Sequence, residues 1–373
     1  MKSRAEPMST RKKILVICPH PENVAPGQRL KYEQYFSHWR ENGYDIDVSP
    51  FFSNRMQSIL YIKGRIPEKM YWVAWGYLRR LFTAFTLKRY DLVYVFLWVT
   101  PFGYPLYERI YAALNPNLVY DIDDAIFIKA KSLVNRSMDF LRGMNKPFYL
   151  MRTAKHVIAC TPYLTDTARL YNKKVTDISS TINTETYQPV NHYNNEHKLV
   201  LGWSGSHSTS PFLYLLTEVL NEVQKLMPFK LLVMGEADFK MEGIEDLEAI
   251  PWTPEGEVPT LQRFDIGLYP LPLDSDWVLG KSGLKALQYM AVGVPVVATA
   301  IGANYRIMEH GKSGMLVKTK EEWVAAIITL AQNPALRKQM GLEGCKNVEA
   351  NYSIHANAPA YLSILNEVSK SAH

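Results

Sequence analysis

Short strand-like runs alternate with segments of helical length along this chain, and that alternation constrains the fold more than any other feature. In the first half the runs are Ile14–Cys18, Asp45–Phe51, Leu92–Trp98, Leu118–Ile122, His156–Cys160 and Val175–Ser179. Between the first two, Tyr32, Tyr35, Phe36 and Trp39 share one face of a predicted helix closed by Gly43. The polar stretch Asn191–His197 reads as a linker, after which the pattern restarts. Leu199–Trp203, Phe229–Met234, Leu247–Ile250, Ile266–Tyr269, Val294–Thr299 and Met315–Val317 follow, with a helix expected over Phe212–Met227. Strands separated by helices build a parallel sheet, and continuously apolar strands are covered on both faces. The reading is therefore α/β, with two doubly wound Rossmann-like parallel-sheet domains facing a central cleft at their strand carboxyl ends. A length of 373 residues suits two cores. The expected division is residues 1–190, 191–352, and a terminal helix over 353–373 packing back toward the first domain.

Charge and cysteine usage narrow the class. The net charge of +6 is mild for this length and needs no explanation beyond solubility, so nucleic acid is not an expected partner. Cys18, Cys160 and Cys345 are odd in number and far apart, which favours a reducing cytoplasm over a disulfide framework or a structural zinc site. The apolar run ending at Cys18 is too short for a signal peptide or a membrane span. Only Arg55–Arg89 departs from this pattern, interleaving aromatic and basic residues. It suits either an anionic membrane surface, with the protein peripheral at the inner face of the cell membrane, or a core helix pair of the first domain.

Chemistry concentrates in Gly280–Gly302, GKSGLKALQYMAVGVPVVATAIG, which reads as helix, turn and buried strand. Lys281, Lys285 and Gln288 fall on one helical stripe if the helix starts early enough. A stripe of that kind is either a solvated edge or a binding site for an anion rimmed by hydroxyls. At Gly202–Thr209 a Gly/Ser loop passes from strand to helix with Ser210 and Pro211 as cap and first residue, so backbone amides of Gly205, Ser206 and His207 meet a positive helix end. That suits a phosphate, or is only a tight connection. Neither GxGxxG after the first strand nor GxxxxGK[ST] is present, which counts against a nicotinamide cofactor and an ATPase.

Gly280–Gly302, with Asn304, EHGKSGML at Glu309–Leu316 and Glu321-Glu322-Trp323, resembles the carboxyl-terminal signature of GT-B retaining glycosyltransferases of the family-four (glycosyl transferases group 1) type. YDIDDAIF at Tyr120–Phe127, ISSTINTETYQP at Ile178–Pro189, LGWSGSHST at Leu201–Thr209 and FDIGLYPLPLDSDW at Phe264–Trp277 resemble its earlier motifs in order. The resemblance implies transfer of a sugar from a nucleotide-sugar to a glycan or lipid-linked acceptor hydroxyl, with retention, no cofactor and no obligatory metal, in cell-surface polysaccharide or glycan assembly. On its motifs, Gly205, Ser206, His207, Lys281, Ser282, Gly283, Lys285 and Gln288 hold the donor, helped by Asp274, Trp252 on the base and Arg29 on phosphate. Asp121 and Asp123 assist the acceptor, and Lys285 stabilises the departing diphosphate. Two departures stand out: Gly280 and Gln288 occupy the positions of two family glutamates, and Ser204, Ser206 and His207 replace an arginine and a lysine. A metal-dependent transferase using the Asp-x-Asp of DIDD, and a non-catalytic nucleotide-sugar binder, are the competing readings.

Overall fold

The computed structural model describes residues 11–60, 62–128, 143–189, 198–206 and 208–370. Two compact units result. One holds the described residues through Ser179 together with those from Ala358 onward, and the other is Ser180–Asn357. The expected linker Asn191–His197 lies outside the described residues.

The first unit contains one six-stranded sheet, β1 (Lys12–Cys18), β2 (Tyr44–Pro50), β3 (Leu92–Phe96), β4 (Leu118–Ile122), β5 (His156–Ala159) and β6 (Val175–Asp177), in the order β2-β1-β3-β4-β5-β6. All five pairings are parallel. The second unit repeats the plan with β7 (Leu199–Ser204), β8 (Phe229–Met234), β9 (Leu247–Ile250), β10 (Ile266–Tyr269), β11 (Val296–Thr299) and β12 (Met315–Val317), ordered β12-β11-β10-β7-β8-β9 and again parallel throughout. Every strand expected from the sequence is present. β3, β4, β5, β10 and β11 are buried along their whole length, as continuous apolar runs between two helical layers require. Strand order reverses between β1 and β3 in the first unit and between β7 and β10 in the second. The loops after β1 and β7 therefore open at the switch points, where doubly wound sheets bind ligands.

Helices differ more from expectation. The segment carrying Tyr32, Tyr35, Phe36 and Trp39 is broken into a short helix Pro26–Arg29, a 3-10 turn Glu33–Tyr35 and a helix Phe36–Glu41, yet all four aromatics are buried. Gly43 ends it in the left-handed region, φ +89°. Phe212–Met227 is likewise split, into a 3-10 helix Ser210–Leu216 and an α-helix Thr217–Leu226. Thr209 precedes the 3-10 helix without a side-chain cap, so the regular, Ser210-capped helix end expected beside the Gly/Ser loop is absent. By contrast Lys320–Gln332 opens on a full capping box, with Thr319 Oγ accepting from Glu322 N and the Glu322 carboxylate accepting from Thr319 N. Such caps stabilise a helix by about 1 kcal/mol. The last helix, Ile354–Lys370, lies in the first unit from Ala358 on, where Tyr361 packs 4.5 Å from the Tyr35 ring and Asn366 accepts from Tyr44 Oη at 2.9 Å.

Candidate functional site

In the second unit the helix of the Gly280–Gly302 stretch starts at Leu284 and ends at Ala291. Gly283 precedes it at φ +77°, and an added Cβ there would collide with Ile307, so the entry to the helix demands glycine. Gly293 stops the helix at φ +77°, and β11 follows. Lys281 is therefore not on the helix but at the end of the preceding 3-10 turn Asp276–Gly280, which corrects the three-residue stripe. Its ammonium lies 3.6 Å from the centre of the Trp277 ring, a cation–π contact. Ser282 Oγ shares a hydrogen bond with Ser180 Oγ at 2.9 Å.

Lys285 projects toward the switch point. Its Nζ is 5.6 Å from the ring centre of Trp203, near the end of β7, and 5.8 Å from that of Tyr269, the last residue of β10. These strands flank the reversal in the second sheet. The helix is pinned there, since Ser204 N donates to Tyr289 Oη at 2.7 Å. Burial lowers the Lys285 pKa from the ordinary 10.5 to about 7, and the neighbouring Lys281 charge adds to the shift. Among the described residues no carboxylate pairs with Lys285. A half-buried cation set against aromatic faces and repelled by a second cation favours an anion as its missing partner.

The loop after β7 keeps a tight geometry. Gly205 N donates to Met234 O at 2.9 Å, and Gly235 packs so closely, at φ +121°, that a Cβ would strike the Gly205 carbonyl oxygen. Ser206 N donates to Thr209 Oγ1 at 3.1 Å, and Ser206 Oγ pairs with Ser208 Oγ at 2.9 Å. His207 lies outside the described residues.

Gln288 lies in a polar cluster inside the second unit. It is 6% exposed, and its Nε2 donates to Tyr187 Oη at 3.0 Å and to Glu257 Oε1 at 3.1 Å. Glu257, itself buried, also accepts from Trp252 Nε1 at 2.9 Å and from Tyr187 Oη at 2.7 Å. The Nε2 donors of Gln288 are thus engaged inside the unit, whereas the carbonyl, which the resemblance offers to a ribose hydroxyl, takes no part in these bonds. Trp252 is half-buried against the core, with its indole N–H engaged by Glu257 in the plane of the ring. Asp274 lines a groove of about 570 Å³ with Tyr214, Leu273, Lys318, Lys320 and Trp323. Sequence reasoning missed Trp203, Tyr269, Glu257, Tyr187 and Gly235. Only Gly235, a glycine directly after a strand, carried a local signal.

In the first unit Asp121, expected at a strand end to assist the acceptor, is wholly buried in β4. Its Oδ1 lies 3.5 Å from the buried Lys31 ammonium, and Oδ2 accepts from Tyr94 Oη. Burial raises its pKa, with Lys31 and Tyr94 opposing the shift. These partners make it part of the core. Asp123, two residues on, has left the strand and is half-buried beside Gly27, whose missing Cβ would come within 2.9 Å of Asp123 Oδ2. Cys160 Sγ donates to the Asp123 carbonyl at 3.1 Å. Arg29, also half-buried, ends the helix Pro26–Arg29 and acts electrostatically on Glu33, whose carboxyl is raised by burial and lowered by this arginine among other contacts. The two halves of DIDD are therefore unequal, because Asp121 is already committed to Lys31 and Tyr94.

Whole-chain likeness to solved structures defines the class first. Sucrose-phosphate synthase from Thermosynechococcus elongatus superimposes with a TM-score of 0.70 at 16% identity, covering 97% of this chain and 100% of that one. HepE of Anabaena, solved in complex with UDP-glucose, gives 0.63 at 14% identity, covering 96% and 98%. The chain has the GT-B fold. Residues 198–333 match the model of the glycosyl transferases group 1 family. Over 86 residues it is 32% identical to trehalose synthase of Pyrococcus horikoshii, and over 61 residues 43% identical to D-inositol 3-phosphate glycosyltransferase of Pseudarthrobacter chlorophenolicus. Those matches cover 23% and 16% of this chain and only 21% and 14% of the relatives' lengths.

Proposed function

We propose that the chain is a retaining glycosyltransferase whose second unit binds the nucleotide-sugar donor through Lys285. The observation that carries this reading is a cation at the switch point, between Trp203 and Tyr269, with no carboxylate partner among the described residues. In such a transfer the bond between the anomeric carbon and the diphosphate oxygen breaks, negative charge grows on that oxygen, and the acceptor oxygen bonds to the same carbon. A preorganised cation is worth most where that charge develops. Lys285 and Lys281 supply it, and the hydroxyls of Ser206 and Ser282 with the amide of Gly283 complete the phosphate contacts. Asp123 in the first unit orients the acceptor hydroxyl and takes part in removing its proton. The acceptor class is a glycan or lipid-linked hydroxyl, the donor reaction needs no metal, and the setting is the cytoplasm.

A thermal-shift panel of UDP, GDP, ADP, CMP and dTDP, repeated with EDTA, tests the donor side. One nucleoside diphosphate at about a hundred times its dissociation constant should add about 2.7 kcal/mol of stability, unchanged by EDTA. Stabilisation that vanishes with EDTA favours a metal-dependent transferase, and binding without turnover of any acceptor favours a binder.

A further inference from the structure

The helix Ile66–Ala84 in the first unit divides into two faces of opposite character. Gly76, Arg80 and Ala84, at helical spacing, are its buried residues. Arg80 is fully buried: Nε donates to Val99 O at 2.8 Å, Nη1 to Ser49 O at 2.9 Å and Nη2 to Cys18 O at 3.0 Å. Arg79 also turns inward, donating to Phe51 O at 2.9 Å and to Pro50 O. Both arginines thus serve carbonyls at or beyond the ends of β1, β2 and β3, and they fasten the helix to the sheet. They are not surface charges, which corrects the sequence-level picture of a mixed aromatic and basic surface.

The outward face is apolar from end to end. Tyr71, Trp75, Leu78, Phe82 and Phe85 follow one another at spacings of four and three, and each is more than two-fifths exposed; Phe85 reaches 77%. Ile66, Met70 and Leu81 widen the stripe. Phe102, 51% exposed, extends it across the neighbouring loop, where Tyr77 Oη donates to Phe102 O at 2.8 Å. Between Met70 and Leu87 the only charged residues are the two inward arginines. Cations stand at both ends of this uncharged stretch: exposed Lys63 and Arg65 before it, exposed Lys88 and Arg89 after it. Over Arg55–Arg89 there are eight basic residues and one acidic, Glu68. Glu68 is engaged by Arg55 and Arg65.

We infer that this face is a docking surface for an anionic lipid bilayer, with the aromatic stripe lying in the headgroup and upper acyl layer and the terminal lysines and arginines on lipid phosphates. An aromatic stripe flanked by cations fits the interfacial geometry of a helix lying in the plane of a membrane. No described helix is long and apolar enough to cross one, so the contact is peripheral. A second protein surface would match the apolar stripe but leaves the uniform sign of the flanking charge without a counterpart. The inference is independent of donor chemistry and is tested without any nucleotide.

The test is co-sedimentation of the full chain with vesicles of phosphatidylcholine containing or lacking phosphatidylglycerol, with gel filtration and thermal melts in parallel. The wild type should partition to the anionic vesicles and be released by salt. Trp75→Ser with Phe82→Ser should reduce partitioning about tenfold or more while the melt holds. Lys63→Glu, Arg65→Glu, Lys88→Glu and Arg89→Glu together should remove the preference for phosphatidylglycerol. Equal binding of wild type and both variants overturns the inference. So does a wild-type dimer that Trp75→Ser with Phe82→Ser converts to monomer in a protein that ignores vesicles, since a second copy would then own the face.

Discussion

Two lysines, one in each unit, sit near a sheet core, and they differ in what faces them. Lys31 is fully buried, 3.5 Å from the Asp121 carboxylate, which also accepts from Tyr94. Lys285 is half-buried between Trp203 and Tyr269, beside a second lysine, with no carboxylate among the described residues. The first charge is compensated within the fold, and the second is the one that we propose a ligand compensates. Buried polarity is therefore informative only when the partner is known: a closed pair belongs to architecture, whereas a cation left open at a topological switch point belongs to binding.

The comparison breaks most visibly at Asp121. Asp121→Ala leaves Lys31 buried without its carboxylate and should cost about 3 to 5 kcal/mol of stability. Urea denaturation measures this, and a loss below about 1 kcal/mol would mean that the pair is not structural. Lys285→Ala should do the reverse, removing about 2 to 4 kcal/mol of transition-state stabilisation while sparing the fold. The sign follows from linkage. With a folded pKa of about 7 against 10.5 unfolded, the unfolded chain holds this proton more tightly between those values, so the lysine's contribution to stability rises from pH 7 toward 10.5. Below pH 7 the native state carries a desolvated charge that alanine lacks. The Lys285→Ala melting temperature at pH 6.5 should accordingly equal or exceed that of the wild type, and a lower one would place the side chain in the structural class.

A smaller effect sharpens the role of the first unit. Asp123→Asn should lower turnover by roughly a hundredfold with donor affinity near wild type. Parallel losses in both would make it a folding residue like Asp121. Gln288 supplies the weakest contrast. The family resemblance suggests that glutamate there would restore ribose binding, but Glu257 Oε1 lies 3.1 Å from Gln288 Nε2. Gln288→Glu would set two carboxylates together in a buried site and leave Glu257 one donor short. It should destabilise by about 1 to 3 kcal/mol without improving nucleotide affinity. An improvement measured by calorimetry would return Gln288 to the ribose.

Periodicity made both sheets legible, because strands covered on both faces need long apolar runs and each such run has neighbours of helical length. It could not show where helices break. Tyr32, Tyr35 and Phe36 keep their burial although the backbone passes through a 3-10 turn, since side-chain burial survives a local change of pitch. The spacing of Gly76, Arg80 and Ala84 did hold the signal that Arg80 points inward, as one helical stripe shared with a glycine and an alanine. The Gln288 cluster had no such signal. Its members, Tyr187, Trp252, Glu257 and Gln288, come from separate segments as much as 101 positions apart, and only the tertiary fold brings their polar atoms together.

The central claim is that Lys285 awaits an anion, and proton linkage measures it most directly. Calorimetry at pH 8 with the nucleoside diphosphate that stabilises the protein most, run in two buffers of different ionisation enthalpy, reports protons taken up on binding. A lysine with a pKa of about 7 when free is mostly neutral at that pH, and a bound diphosphate should draw its proton back. The account predicts uptake approaching one proton in the wild type, absent in Lys285→Ala, with wild-type affinity falling as pH rises above 7. Binding of equal strength in both proteins, with no proton uptake in either, would contradict it.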